Sequence, residues 1–333
     1  MPDVFVTAMI PTPGLDLLKK AFGSYAINAT PDVLPKSKLI AALKTCDAVL
    51  ATPNDLIDAE VIEAGRGRLK IISNIAVGYN NIDVAAATAA NIHVCNTPGV
   101  LTETTADLAW ALLLAAARRV PEGERQVRAG RWEGLRPLQF LGVDIYGRTL
   151  GIVGAGRIGT AVARRGLGFG MKILYTARKQ HPEMDAIGGQ RLSLLEVLAR
   201  SDFVSLHVPL TPETMGLIGA KELALMKPTA VLVNTARGAV IKEADLAAAL
   251  ADRKIFAAGL DVYENEPNVP PALCKLENVV LAPHIGSATL ATRERMSVMA
   301  AENIIAVLQG RRPPHGVNTD ALAAAGAAGP PHQ

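Results

Sequence analysis

Apolar residues along this chain follow two rhythms. Short continuous runs rich in valine, isoleucine and leucine alternate with longer stretches whose apolar residues recur every three or four positions. The first rhythm fits strands buried on both faces, and the second fits helices lying over them. Over the first part of the chain the pattern predicts strands at 4–9, 48–51, 70–74 and 93–95. Helices fall between them at 13–22, 36–43, 57–64 and 82–90, with Leu15, Leu17 and Leu18 on the apolar side of the first. Asn96-Thr97-Pro98-Gly99 interrupts the alternation as a hinge would. A long helix follows to about Arg119, with Thr102 or Thr104 as its cap and Pro121 as its stop. Residues 121–144 read as a shorter helix and then an irregular stretch carrying Trp132, Pro137 and Phe140. Such a stretch suits either packing against another subunit or a surface loop on its own domain.

The second half repeats the alternation. Strands are expected at 149–153, 172–175, 203–207, 230–234, 257–260 and 279–281, and helices at 160–168, 194–198, 221–225 and 242–251. A last long helix over 290–308 has an apolar stripe and is expected to return to the first domain. Strands separated by helices imply parallel sheets covered on both faces, and 333 residues suit two domains. The expectation is therefore an α/β chain of two domains, each a parallel sheet with flanking helices. One comprises 1–98 and 289–320, the other 99–288, and 321–333 is a mobile tail of alanine, glycine and proline.

Composition narrows the function classes. Half the residues are apolar and a fifth are charged, enough for two large cores. The net charge of +3 is dispersed, which argues against a nucleic-acid groove or a membrane-surface patch. The apolar run at 108–117 is too short to cross a bilayer. Cys46, Cys95 and Cys274 stand far apart with no C-x-x-C, which fits a reducing compartment and neither a disulfide framework nor a metal site. A strand begins almost at the first residue, leaving no room for a signal peptide, so a cytoplasmic protein is expected.

One stretch carries chemistry outright. Leu150-Gly151-Ile152-Val153-Gly154-Ala155-Gly156-Arg157-Ile158-Gly159 reads as a strand, a G-x-G-x-x-G turn and the start of a helix. The first glycine permits a tight turn, the second lets backbone approach a pyrophosphate, and the third lets helix pack on strand. The helix N-terminus then presents unpaired N–H groups and its positive dipole end to the phosphates. Reduction of a 2-oxo acid by hydride transfer adds three demands: a cation for the carboxylate and ketone, a proton donor, and a partner that keeps the donor protonated. Candidates lie just after expected strands, where open α/β sheets place ligands. They are Arg237 in Asn234-Thr235-Ala236-Arg237-Gly238, Glu266 in Asp261-Val262-Tyr263-Glu264-Asn265-Glu266-Pro267, and His284 in Ala282-Pro283-His284-Ile285-Gly286. Each alone would pass as a surface residue, and Glu264 competes with Glu266. His93, His181, His207, His315 and His332 carry no motif.

Together these motifs, in this order, resemble the signatures of the D-isomer-specific 2-hydroxyacid dehydrogenases over about residues 40–318. The likeness is greatest to the glyoxylate/hydroxypyruvate reductase branch, which 2-ketogluconate reductases adjoin. The resemblance implies a Rossmann (doubly wound) NAD(P)-binding domain and a flavodoxin-like substrate domain. It implies that Arg237 binds the 2-oxo acid, that His284 donates the proton, and that Glu266 hydrogen-bonds His284 and favours its charged form. The backbone N–H groups of Val77 and Gly78 match the family's carboxylate-binding turn. Thr105 matches a position beside the family's nicotinamide ring and Asp261 one that contacts the carboxamide; Thr235, Ala236 and Gly286 are further implied coenzyme contacts, and Gly154, Gly156, Arg157, Ile158 and Gly159 fall where the family holds the phosphates. No metal is implied. The family is usually dimeric, and the 100–145 region suits a homodimer contact.

Coenzyme choice rests on the end of the second strand of the nucleotide domain. NAD enzymes usually carry an acid about 20 residues after the glycine turn. Here the text is Tyr175-Thr176-Ala177-Arg178-Lys179, with no acid and two cations. Arg178 can grip a 2′-phosphate with its planar fork, so NADP is expected over NAD, with a solvated basic turn as the alternative. The expected activity is reduction of glyoxylate, hydroxypyruvate or 2-ketogluconate with NADPH. Two alternatives stand beside it: a corepressor-like nucleotide-sensing protein, and an NAD-dependent enzyme such as phosphoglycerate dehydrogenase.

Overall fold

The computed structural model describes residues 1–30 and 32–327. It divides into two compact units, Met1–Leu101 with the segment from Ala288 onward, and Thr102–Ser287. The first unit holds strands β1 (Val4–Val6), β2 (Ala26–Ile27), β3 (Ala48–Ala51), β4 (Ile71–Asn74) and β5 (His93–Cys95). All pairs are parallel, and the order is β2-β1-β3-β4-β5, the flavodoxin-like arrangement. Successive residues serve opposite faces. Ala48, Leu50 and Ile71 pack with Leu15, Leu18 and Ile304, whereas Val49, Ala51 and Ile72 pack with Leu39, Leu43 and Val61. The helix Leu290–Leu308 closes one face of this sheet: Ser73 Oγ donates to Ala300 O at 2.9 Å. Its contact with the helix Thr12–Phe22 is backbone to backbone, since a Cβ at Gly14 would lie 2.4 Å from Ser297 O.

The second unit holds β6 (Thr149–Val153), β7 (Lys172–Thr176), β8 (Gln190–Arg191), β9 (Phe203–Leu206), β10 (Val231–Asn234), β11 (Ala257–Leu260) and β12 (Val279–Leu281). These form one parallel sheet in the order β12-β11-β10-β9-β6-β7-β8. Strand order reverses between β6 and β9, the doubly wound pattern that leaves a crevice at the carboxyl ends of those strands. Leu150, Ile152 and Val233 face a core built with the helices Thr102–Ala117 and Arg157–Leu167, while Val153, Leu206 and Leu232 face Val197, Leu223 and Leu246. Each such side chain removed from water contributes about 2 kcal/mol. Trp110 locks the first face, donating from Nε1 to Val162 O at 3.0 Å and stacking on Phe169 with centroids 4.7 Å apart.

Several details differ from the sequence expectations: β1 ends at Val6 and not at residue 9, and β2 and β8 were not expected. Thr102 and Thr104 both lie inside the long helix, which ends at Ala117. Arg119 breaks it with a left-handed φ of 54°, and Pro121 sits in the first turn of the next helix, Val120–Arg128, where its missing N–H costs nothing. The helix after the glycine turn starts at Arg157 and not at 160, because Gly156 caps it and Gly159 lies inside it. Residues of the supposed tail form the helix Thr319–Ala327, as a run of alanine, the strongest helix former, allows, with Leu322 buried. The rest of that tail, 328–333, lies outside the described residues. Among the described residues no helix is long and apolar enough to cross a membrane.

Candidate active site

The glycine turn follows β6 directly. Gly154 has φ +99°, and a Cβ there would lie 2.7 Å from the carbonyl carbon of His207, so only glycine fits between the two loops. A Cβ at Gly159 would lie 2.1 Å from Gly154 O, which forces glycine where helix meets turn. Gly156 is different. It caps the helix Arg157–Leu167 without a side-chain bond, its φ is −73°, and a Cβ there would meet nothing within 4 Å. Nothing in the chain accounts for glycine at 156; a phosphate resting on the helix N-terminus would. Thr235, after β10, has a buried Oγ1 with no partner among the described residues. Both observations fit a dinucleotide.

At the end of β7, Thr176 is half-buried, and Arg178 and Lys179 are exposed. Arg191, on β8, lies in no motif. Its guanidinium donates to Ala177 O at 2.9 Å and to Arg178 O at 3.0 Å, fixing the backbone of this loop. His207 bonds Ser205 Oγ through Nε2 at 2.8 Å, and burial pushes its imidazole down to about 3, so the ring beside the glycine turn is neutral.

Arg237, Glu266 and His284 follow β10, β11 and β12. Asn234 shapes the first turn: its Oδ1 accepts from Ala236 N at 3.0 Å and its Nδ2 donates to Arg237 O at 2.9 Å. Gly238 is held against the next loop so closely that a Cβ would lie 1.8 Å from the carbonyl carbon of Tyr263. Burial lowers the pKa of the Arg237 guanidinium, opposed by the Glu266 charge; an arginine so placed remains cationic.

Glu266 uses both oxygens. Oε1 accepts from Tyr263 N at 3.0 Å, and Oε2 pairs with His284 Nδ1 at 2.7 Å. Burial favours its neutral acid, but the His284 bond and charge, the Tyr263 N–H and the Arg237 charge prevail and hold the carboxyl below its ordinary range. Glu264 is engaged elsewhere: its Oε1 accepts from Glu243 N at 3.1 Å. His284 adopts a left-handed φ of 54°, unusual for a side chain with Cβ, and its N–H donates to Asp261 O at 2.9 Å. Asp261 fixes the following residues, accepting from Ile285 N at 2.7 Å and Gly286 N at 2.8 Å; burial pushes its carboxyl up against those bonds. Thr105 Oγ1 donates to Gly286 O at 3.1 Å. Imidazole, carboxylate and guanidinium are thus brought together from three consecutive loops. Val77 and Gly78 belong to the other unit, in the turn after β4, and both are half-buried. No group of three or more metal-ligating side chains occurs among the described residues.

Comparison with known proteins follows the same lines. Residues 110–286 match the family model described as D-isomer specific 2-hydroxyacid dehydrogenase, NAD binding domain. A glyoxylate reductase of Korarchaeum cryptofilum is 52% identical over 328 residues, covering 96% of this chain and 97% of that protein. A glyoxylate reductase of Thermococcus litoralis is 49% identical over 326 residues, covering 96% and 98%. Among solved structures, an NADPH-dependent glyoxylate/hydroxypyruvate reductase from Sinorhizobium meliloti in complex with NADP and malonate superposes with a TM-score of 0.85 at 34% identity, over 96% of this chain and 97% of that one. The chain belongs to the D-isomer-specific 2-hydroxyacid dehydrogenase family, on the branch whose curated members include these glyoxylate reductases.

Proposed function

We propose that this protein reduces glyoxylate and related small 2-oxo acids, hydroxypyruvate and 2-ketogluconate among them, to D-2-hydroxy acids, with NADPH preferred over NADH. The observation that carries this reading is the 2.7 Å bond between His284 Nδ1 and Glu266 Oε2, in a unit that also bears the glycine turn. The activity named for the curated relatives supports the substrate class. A nicotinamide cofactor supplies the hydride when bound. Gly154, Gly156 and Gly159 with the N–H groups of Arg157 and Ile158 would hold its pyrophosphate. Thr105, Thr235, Ala236, Asp261 and Gly286 would border its nicotinamide end.

The chain's own side chains do the remaining work. Arg237 holds the substrate carboxylate and draws electron density toward the ketone oxygen; its burial strengthens that field. In the first unit, the N–H groups of Val77 and Gly78 are the carboxylate-binding groups that the family resemblance implies. Glu266 occupies Nδ1 of His284 and stabilises the imidazolium, which leaves the proton on Nε2 for the oxygen that becomes the hydroxyl. In oxidation His284 Nε2 takes that proton back.

The NADPH preference rests on Thr176, Arg178 and Lys179, which put two cations and no carboxylate at the end of β7. A homodimer through the 100–145 region is supported by Trp132, Leu135 and Leu138, which are 58%, 87% and 85% exposed. Three free cysteines, two of them buried, suit a reducing cytoplasm. A steady-state panel of glyoxylate, hydroxypyruvate, pyruvate and 2-ketogluconate with both coenzymes tests the reading. The expected result is the highest kcat/KM with glyoxylate or hydroxypyruvate and NADPH. Reduction of none of the four with either coenzyme would refute it, and an NADH advantage would refute the preference.

A further inference from the structure

Three consecutive carbonyls in the turn after β4 are fastened from within the first unit. Thr97 N donates to Ala76 O at 2.8 Å, Asn96 Nδ2 to Val77 O at 2.8 Å, and Asn74 Nδ2 to Gly78 O at 2.9 Å. The peptide bonds of this turn are trans, and in a trans peptide the C=O and the following N–H point in opposite directions. Fixing Ala76 O aims the N–H of Val77. In the same way Val77 O aims that of Gly78, and Gly78 O that of Tyr79. None of these three N–H groups donates to a described residue. Because a carbonyl only accepts, each asparagine must present its NH2 to the turn.

Both asparagines are themselves braced. Asn74 ends β4 and Asn96 follows β5, with Ser73 opposite Cys95 in register, so the two amides share one edge of the sheet. Asn74 Nδ2 also donates to Asn81 Oδ1 at 3.1 Å, and Asn81 Nδ2 donates to Thr52 O at 3.1 Å and Asp55 O at 3.0 Å. On the other side the buried Asn303 donates to Asn96 O at 3.2 Å and accepts from His315 N at 3.0 Å. A neutral turn binds an anion only through aligned N–H dipoles, and alignment before binding is what makes them effective.

We infer that Asn96 is a positioning residue for the substrate carboxylate, acting by orienting the Val77–Gly78 peptide, while Asn74 steadies the Gly78–Tyr79 peptide next to it. The inference rests on the proposed 2-oxo acid reduction. The test is steady-state kinetics with glyoxylate and NADPH, inhibition by oxalate, and NADPH affinity by fluorescence, for the wild type and for Asn96→Ala, Asn96→Ser and Asn96→Asp. One lost hydrogen bond that frees a peptide plane should raise the glyoxylate KM and the oxalate inhibition constant of Asn96→Ala together, by about 5- to 20-fold. Its kcat should stay within about 3-fold and its NADPH affinity should not change, a split that general loosening would not produce. Asn96→Asp, which turns an anion toward both Val77 O and the incoming carboxylate, should be worse; Asn96→Ser, which keeps a donor, should recover part of the loss. Should Asn96→Ala not fold, Asn96→Ser is read against the wild type with the same split expected. A KM within twofold of wild type, or equal losses in kcat, KM and NADPH affinity, would overturn the inference. Wild-type protein that does not reduce glyoxylate would instead overturn the proposed function beneath it.

Discussion

Replacing Glu266 by glutamine keeps the shape of the side chain and removes its charge. An amide oxygen can still accept from His284 Nδ1, so the ring should stay in place, but the amide NH2 then faces the Tyr263 N–H that Oε1 accepts in the wild type. At His284 the loss is the difference between a charge-assisted bond and a neutral one, about 1–2 kcal/mol. At about 1.4 kcal/mol per tenfold this should lower kcat/KM for glyoxylate by about 5- to 30-fold. The sign follows from the carboxylate. Glu266 is held below the ordinary carboxyl range, so it is an anion throughout the working range and its contribution is lost only as pH falls through that lowered value. Glu266→Gln has no carboxyl to protonate, so the acid limb that this group gives the wild type should be absent from the variant. The assay is the pH profile of kcat/KM for glyoxylate and NADPH, followed by coenzyme absorbance. A variant within about twofold of wild type near neutral pH, or one that keeps the wild-type acid limb, would refute the electrostatic role of Glu266.

Other perturbations separate the remaining parts of the site. Arg178→Ala should weaken NADPH by about tenfold or more and leave NADH within about twofold, since only the former carries a 2′-phosphate; coenzyme titrations check this, and equal losses would remove Arg178 from that contact. Arg237→Lys keeps the charge but not the planar fork, and should lower kcat/KM for glyoxylate by about 100-fold; a value near wild type in initial-rate kinetics would show that bidentate geometry is not used. Gly238→Ala would drive a Cβ into the Tyr263 carbonyl carbon, 1.8 Å away, and should cost about 1–3 kcal/mol or more in urea unfolding; an unchanged midpoint would mean that the two loops separate easily.

Much of this architecture was legible because buried parallel strands are written as unbroken apolar runs. β3, β5, β6, β11 and β12 have the bounds the sequence pattern predicts. β2 and β8 were not legible. Each has two residues at a sheet edge, and Gln190 and Arg191 are both exposed, so no hydrophobic signal marks them. The helix start at Arg157 was hidden by Gly159, which close contact with the Gly154 carbonyl, not helix propensity, places there. Motif order brought Arg237, Glu266 and His284 forward as candidates. The backbone contacts that shape the loops were not legible. Asn234 braces its own turn; Asp261, expected only as a coenzyme contact, holds Ile285 N and Gly286 N; and Arg191 holds the loop after β7. The last two contacts exist only once distant segments lie side by side. Asn74 and Asn96 belong to the same class.

The central claim is that His284 delivers the proton when this protein reduces a 2-oxo acid. Turnover of glyoxylate with saturating NADPH, compared between wild type and His284→Ala, tests it most directly. Loss of a general acid should cut kcat by about two to four decades while NADPH affinity is kept. A kcat within a few-fold of wild type would contradict the account.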